Sequence, residues 1–245
     1  MPTRDLDYRC DDVTLRGYLT WNDNAAGPRP GVLVFHEGLG LGEFAMERAR
    51  RLAELGYVAL AADMFGDRRQ ATNLQEVATL VGDLRAEPEK LRARGRAALS
   101  TLAALPQVDA TRLAAIGFCF GGSVVLELAR EGADLKAVVS FHGALATKMP
   151  AQSGRVTACV LVLTGADDPL APPDQVAAFE NEMREGGVRD WQVISYGNTL
   201  HGFTNPAADG SMMRTALYSE QADRRSWASM RSLFDEVFSE HANRV

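Results

Sequence analysis

The fold is decided by the stretch Gly117-Phe118-Cys119-Phe120-Gly121-Gly122, which places one cysteine among glycines. An apolar run, Leu113-Ala114-Ala115-Ile116, comes before it, and a helix-like run comes after it at 123–129. A strand, a nucleophile flanked by glycines and a helix together predict a nucleophile elbow, a tight turn that exposes the central side chain. The N-terminus of the following helix carries partial positive charge, which favours a thiolate. Cys119 is therefore predicted to be a nucleophile, and the alternative is a structural cysteine in a glycine-rich packing turn.

The length suits one large α/β domain or two small ones, and we expect a single domain spanning residues 1–245. Of the 245 residues 46% are apolar, and the formal net charge of -6 argues against nucleic acid or an anionic membrane as a partner. We expect no signal peptide, and no apolar run is long enough to span a bilayer. The cysteines Cys10, Cys119 and Cys159 are far apart and lack CxxC spacing. A reduced, cytoplasmic protein is therefore expected, either a monomer or a small homo-oligomer.

Apolar runs of strand length alternate with helical patterns along most of the chain. Strands are predicted at 6–10, 13–21, 31–35, 57–62, 113–118, 137–141, 158–164 and 191–196. Helices are predicted at 43–55, 88–105, 123–129, 174–185 and 221–240, and a capping box at 72–75 opens one more. This alternation predicts an α/β fold with a mainly parallel sheet of about seven or eight strands and helices on both faces. The excursion at 66–88 is a small cap, a pocket wall or an ordinary surface crossover.

Polar residues at strand ends are the candidates for a site, because ligands of open α/β sheets bind beyond the carboxyl ends of the strands. The loop Gly165-Ala166-Asp167-Asp168-Pro169-Leu170-Ala171-Pro172 follows the apolar run 160–163. A carboxylate here can orient a histidine and stabilise its charged form. Asp168 fits the hydrolase pattern G-x-x-D-P-x-x-P, and Asp167 is the minor alternative. A solvated turn carboxylate without a catalytic role is the other interpretation.

His201 lies in the loop between the last predicted strand and the last predicted helix. The order Cys119, Asp168, His201 is the nucleophile, acid, histidine order of α/β-hydrolases. The remaining histidines either precede the acid or lie near the end of the chain; they are His36, His142 and His241. His201 is therefore the predicted base, although an isolated loop histidine is more often an ordinary surface residue.

The loop His36-Glu37-Gly38-Leu39-Gly40 follows a predicted strand. Hydrolases place one oxyanion-hole amide in this loop and a second in the residue after the nucleophile, so the predicted donors are the backbone N–H groups of Gly38 and Phe120. The spacing excludes two other kinds of site. The metalloprotease motif H-E-x-x-H needs histidine at the position of Gly40, and the dinucleotide-binding motif G-x-G-x-x-G needs glycine at the position of Glu43. We expect neither a metal nor an organic cofactor.

Together, four segments resemble the dienelactone hydrolase (carboxymethylenebutenolidase-like) family. They are the elbow, His36-Glu37-Gly38, the Asp168 loop and His201-Gly202-Phe203, and the resemblance runs from about residue 15 to the final helix. The resemblance implies an α/β-hydrolase fold, a Cys-His-Asp triad and a glutamate, here Glu37, that contacts the nucleophile thiol. The alternative for Glu37 is a hydrogen bond that braces its loop.

One position departs from the family. Its best-known members bind a substrate carboxylate with arginines, one of them four residues after the catalytic histidine, where this chain has Asn205. Arg68, Arg69 or Arg85 could supply positive charge, or could form surface salt bridges. The sequence therefore predicts hydrolysis of a small-molecule ester or lactone through an acyl-enzyme. Its substrate is dienelactone or, equally, a neutral or differently shaped ester or lactone. The alternatives are a broad carboxylesterase or thioesterase, and a non-catalytic ligand-binding protein on a hydrolase fold.

Overall fold

The computed structural model describes residues 1–23 and 27–239, so His241 and the end of the last predicted helix at Glu240 lie outside it. The strands within these ranges are β1 (Thr3–Cys10), β2 (Val13–Thr20), β3 (Arg29–Phe35), β4 (Val58–Ala62), β5 (Val108–Phe118), β6 (Ala137–Phe141), β7 (Cys159–Gly165) and β8 (Trp191–Tyr196). The helices are α1 (Glu43–Glu54), α2 (Leu74–Ala86), α3 (Pro88–Ala103), α4 (Phe120–Glu131), α5 (Pro173–Glu185) and α6 (Glu220–Val237). None of the described helices is long and apolar enough to cross a membrane.

All the strands belong to one sheet, in the order β1-β2-β4-β3-β5-β6-β7-β8. β1 and β2 form an antiparallel hairpin, and β2 is antiparallel to β4, whereas every other neighbouring pair is parallel. The predicted α/β fold, with a mainly parallel sheet of about seven or eight strands, is confirmed, and the sheet has eight. Because the strands from β3 to β8 run in the same direction, their carboxyl ends lie along one edge of the sheet.

Helices cover both faces of the sheet, because successive side chains of each central strand point to opposite sides. In β3, Leu33 and Phe35 pack into a cluster that includes residues of α2, α3, α4 and α5. Val32 and Val34 pack into a second cluster, with residues of α1 and α6. All four side chains are fully buried, and burial of each is worth about 1.5–3 kcal/mol. This burial on both faces explains why the central strands are apolar throughout rather than alternating.

β5 is longer than the sequence predicts. It begins at Val108 rather than at 113, because Val108 and Asp109 pair with Arg29 and Pro30 before the register shifts. These four residues lack the continuous apolar character of the buried part of the strand, which is why the pattern of the sequence does not include them.

The excursion at 66–88 contains α2, which begins one residue later than the predicted capping box requires. Its cap is Asn73, whose side chain accepts a hydrogen bond from the Glu76 N–H at 3.0 Å. The Glu76 carboxylate in turn accepts from the Thr72 N–H at 2.8 Å. The capping box predicted at 72–75 is therefore wrong by one position, since asparagine caps a helix at least as well as threonine does.

Candidate active site

Cys119 occupies a sharp turn between the end of β5 and the start of α4. Its backbone has φ 53° and ψ -111°, a left-handed conformation that costs a residue with a side chain about 1–3 kcal/mol. The Cys119 N–H donates to the Phe141 carbonyl at 3.0 Å and faces Nδ1 of His142 at 3.2 Å. The turn therefore holds the thiol at the N-terminus of α4, where the helix dipole favours negative charge.

Close packing of backbone against backbone explains the glycines around the turn. A Cβ atom on Gly117 would lie 1.9 Å from the carbonyl oxygen of Gly121, and one on Gly121 would lie 2.2 Å from that of Phe35. A Cβ atom on Gly122 would lie 2.6 Å from Oγ of Ser140. The first turn of α4 thus presses directly against the sheet, and no other residue type fits these positions without a backbone shift.

The two aspartates in the loop at 165–172 differ in their exposure to solvent. Asp168 is 2% exposed, and its Oδ2 accepts a hydrogen bond from Nδ1 of His201 at 2.8 Å. Its other oxygen, Oδ1, accepts from the Leu170 N–H at 2.8 Å. Asp167 is exposed to solvent. The geometry therefore favours Asp168 over Asp167 as the partner of the histidine.

His201 is oriented so that one ring nitrogen is left for the thiol. Nδ1 is bound to Asp168, whereas Nε2 is buried and has no nitrogen or oxygen partner among the described residues. Burial lowers the pKa of His201, but attraction to Cys119 in its ionised form and the bond to Asp168 outweigh it, and the net effect raises the pKa above its usual value. A charged His201 beside a thiolate is the arrangement that activates a cysteine nucleophile.

The start of α4 offers one uncommitted backbone donor beside the thiol. The Gly121 N–H donates to the His36 carbonyl at 3.0 Å, and the Gly122 N–H donates to the Cys119 carbonyl at 3.0 Å. The Phe120 N–H has no acceptor among the described residues. Phe120 is therefore the position in this turn whose amide is free to bind a substrate oxygen.

His36 holds the second predicted donor in place. Its Nδ1 lies 2.6 Å from the Glu37 carbonyl oxygen, and its Nε2 accepts from the Met64 N–H at 3.2 Å, so the proton resides on Nδ1. The Glu37 carbonyl also accepts from the Gly40 N–H at 3.2 Å. Because a trans peptide points its C=O and N–H in opposite directions, fixing this carbonyl directs the Gly38 N–H the other way. Gly38 lines the cavity described below.

The Glu37 carboxylate is partly buried and meets Asn205, not an arginine. Nδ2 of Asn205 donates to Oε2 of Glu37 at 2.7 Å. Burial raises the pKa of Glu37, against the opposing effects of Asn205, His201 and Arg48. The bond to Asn205 is of the kind that braces the loop, and contact of Glu37 with the Cys119 thiol stays a prediction.

A cavity of about 900 Å³ opens over Cys119 and His201. One wall is formed by residues of the excursion, among them Leu74, Val77, Val81 and Arg85. A second part of the lining comes from the segment 205–216, and it includes Ala207, Met212 and Met213. Sequence patterns do not identify this second wall, because an irregular segment has no periodicity to indicate which of its side chains face inward.

Of the three arginines considered for a substrate carboxylate, Arg85 lines the cavity. Its Nη2 donates to Oγ of Ser123 at 2.9 Å. Arg68 instead binds Asp5 on β1 at 2.7 Å, and Arg69 is exposed and lies outside the cavity lining. Within residues 1–23 and 27–239, no group of three or more His, Cys, Asp and Glu side chains is arranged to hold a metal ion.

The sequence and the structure of this chain were compared with those of known proteins. The sequence model described as "Dienelactone hydrolase family" matches residues 15–238. A protein from Yersinia pestis named "Putative carboxymethylenebutenolidase" is 29% identical over 201 residues, covering 77% of this chain and 74% of the relative. The solved structure of m3DLH is 47% identical with a TM-score of 0.93, covering 97% of this chain and 99% of the other. The structure of the dienelactone hydrolase-like promiscuous phosphotriesterase P91, from metagenomic libraries, is 44% identical with a TM-score of 0.93 and the same coverage.

Proposed function

We propose that this chain, which belongs to the dienelactone hydrolase family and is a carboxylic ester hydrolase, cleaves ester or lactone bonds through an acyl-enzyme on Cys119. The observation that carries the proposal is the buried His201–Asp168 bond of 2.8 Å beside the elbow that presents the thiol. A carboxylate on Nδ1 leaves Nε2 to exchange a proton with the reacting groups. Family membership argues against the alternative of a non-catalytic binding protein.

The chemistry starts from a Cys119 thiolate and a charged His201. The sulfur attacks the carbonyl carbon of the substrate, and the π electron pair moves onto the carbonyl oxygen. The tetrahedral intermediate collapses, the C–O bond to the leaving group breaks, and Nε2 of His201 gives its proton to the departing oxygen. Water then attacks the thioester carbon as it gives a proton to the now neutral His201, and the C–S bond breaks to restore the thiolate. In a lactone the leaving oxygen stays in the same molecule, so water must attack before the ring recloses.

The developing oxyanion would be held by the backbone N–H groups of Gly38 and Phe120. Both amides lack an acceptor among the described residues, and both residues line the cavity. One such donor typically stabilises the transition state by about 2.7–4 kcal/mol. Where the substrate also carries a carboxylate, Arg85 is the arginine of the cavity wall that it would meet, since Asn205 is bound to Glu37.

The test of this function is whether an acyl group is found on Cys119. After rapid mixing with a slowly hydrolysed ester and acid quenching, we expect the intact mass to rise by one acyl group. Peptide mapping should place that group on Cys119, and hydroxylamine should release it, as expected of a thioester. Cys159→Ala is the matched control and should acquire the same mass, whereas Cys119→Ala should acquire none. An acyl group mapped to another residue would contradict the proposal.

A second candidate activity, phosphotriester hydrolysis, is favoured by the likeness to P91 over almost the whole chain. The thiolate would attack phosphorus and displace a phenolate, and water would then break the S–P bond. We expect a p-nitrophenyl phosphotriester to be turned over repeatedly, at a lower kcat/KM than the matching carboxylic ester. Release of p-nitrophenolate that stops after one equivalent per enzyme would show that the phosphorylated thiol is not hydrolysed and would rule this activity out.

A further inference from the structure

One strand end at the catalytic edge of the sheet carries a polar side chain that the proposed chemistry does not use. Cys119 follows β5, Asp168 follows β7 and His201 follows β8. His142 follows β6, which lies between β5 and β7 in the sheet. The order of the triad excludes His142 as the base, yet its side chain lies next to both Cys119 and His201.

His142 joins the elbow to the loop that carries His201. Its side chain is fully buried, and its backbone has φ 41°, a strained conformation that the surrounding structure must hold. Nδ1 accepts from the backbone N–H of Cys119 at 3.2 Å, and Nε2 lies 2.8 Å from Oγ1 of Thr204. Thr204 is three residues beyond His201 in the same loop. A single imidazole therefore connects the nucleophile's backbone to the segment that positions the base.

The partners of His142 fix its tautomer and its charge. Nδ1 faces an N–H donor, so this nitrogen is unprotonated and Nε2–H donates to Thr204. A second proton, on Nδ1, would set two N–H groups against each other. Burial, together with the positive charges of His201 and Arg48, holds the pKa of His142 well below its usual value. The His142 ring lies at 71° to the His201 ring, with centroids 5.1 Å apart. A neutral His142 therefore avoids repulsion with a charged His201.

The loop of His201 is anchored independently on its far side. The Thr204 carbonyl accepts from Nη2 of Arg48, which also binds Oδ1 and Oδ2 of Asp223 on α6 at 2.9 and 3.1 Å. Arg48 is 3% exposed. With the backbone of Thr204 held by α1, the side chain of Thr204 links this loop to the elbow through His142.

We propose that His142 is a positioning residue for hydrolysis, which in its neutral form sets the approach of His201 to Cys119 by binding the backbone of Cys119 and the hydroxyl of Thr204. This proposal rests on the proposed pairing of Cys119 with His201. Two other charged groups act on that pair, Asp168 from the loop after β7 and Glu37 from the loop after β3, whereas Arg48 from α1 acts on His142 itself.

The sharpest test removes the hydroxyl of Thr204 and keeps its shape. In Thr204→Val we expect kcat for a p-nitrophenyl ester to fall about tenfold with KM changed less than about twofold, because a small misplacement of catalytic groups slows chemistry more than binding. The pH midpoint for iodoacetamide alkylation of Cys119, followed on its peptide by mass spectrometry, should move upward as the thiolate loses its charged partner. Thr204→Ser, which restores a hydroxyl, should return both readouts toward those of the parent enzyme.

Two substitutions at His142 separate its two bonds. His142→Asn can place an oxygen near the position of Nδ1 but does not reach Thr204, whereas His142→Gln can reach Thr204 and loses the acceptor for the Cys119 N–H. We expect both to lower kcat and to raise the alkylation midpoint.

The proposal is overturned if Thr204→Val and His142→Asn keep the parent kcat and alkylation profile, or if they lower only the unfolding temperature. Alkylation reports on the thiol itself, so this outcome is distinct from failure of the acyl-enzyme function, which would appear as full turnover in Cys119→Ala.

Discussion

Replacing Cys119 by alanine is expected to lower kcat/KM for the best ester substrate by at least about 10⁴-fold, because the substitution removes the sulfur that would form the proposed acyl-enzyme. Alanine retains a Cβ atom and therefore the same left-handed backbone requirement, so the elbow is perturbed little. Cys119→Ser should fall between the parent and Cys119→Ala, since a serine hydroxyl is far less readily ionised than a thiol. Steady-state release of p-nitrophenolate gives the rates, and circular dichroism checks that each variant is folded.

The other two cysteines provide matched controls for this experiment. Cys10 and Cys159 are free thiols of intermediate exposure, and neither lines the cavity. Cys10→Ala and Cys159→Ala should each keep kcat/KM within about twofold of the parent, as substitutions away from a site usually do. Full turnover by Cys119→Ala would contradict the proposed mechanism.

Asp168→Asn is the second substitution with a large expected effect. We expect kcat to fall by about 10³-fold or more, because a catalytic histidine in the wrong tautomer slows hydrolytic triads to that extent. The Leu170 N–H donates to Oδ1 of Asp168 at 2.8 Å, so an asparagine would turn its carbonyl oxygen to Leu170 and its NH₂ group to His201. Nδ1 of His201 would then accept a hydrogen bond, and its proton would move to Nε2. A neutral His201 with this tautomer cannot take a proton from the thiol.

Asp167→Asn is the control that the chain supplies for this prediction. Its carboxylate is one residue away and exposed, so the same chemical change should leave kcat within about twofold. Stopped-flow kinetics on both variants, at a pH where both are folded, would measure the difference. A larger loss from Asp167→Asn than from Asp168→Asn would mean that the other aspartate is the acid.

The parts of the site that depend on short-range constraints could be predicted from the sequence. The elbow is one, because the steric requirements of Gly117, Gly121 and Gly122 lie within a few residues of Cys119. The order of strands and helices is another, since buried parallel strands leave continuous apolar runs. One proline pattern in the sequence favours Asp168 over Asp167, and the structure adds a physical reason, because Asp168 is buried and Asp167 is exposed.

Contacts between residues far apart in the sequence cannot be predicted from a single sequence. Asn205 and Glu37 are 168 positions apart, and nothing in either neighbourhood indicates that they meet. The order of the triad has no place for His142, and the sequence does not indicate its contacts with Cys119 and Thr204, which form only in the folded protein. The wall at 205–216 is irregular and depends on packing rather than on periodicity.

The left-handed backbone at Cys119 has a consequence for any attempt to evolve this protein. Glycine adopts positive φ freely, whereas cysteine at φ 53° stores about 1–3 kcal/mol of strain, so the native state is less stable than its own architecture permits. Laboratory selection for heat resistance alone would favour glycine at this position and would enrich stable variants that lack the proposed nucleophile. Stability and catalytic activity place opposite demands on this residue, so a screen for improved variants has to select for both.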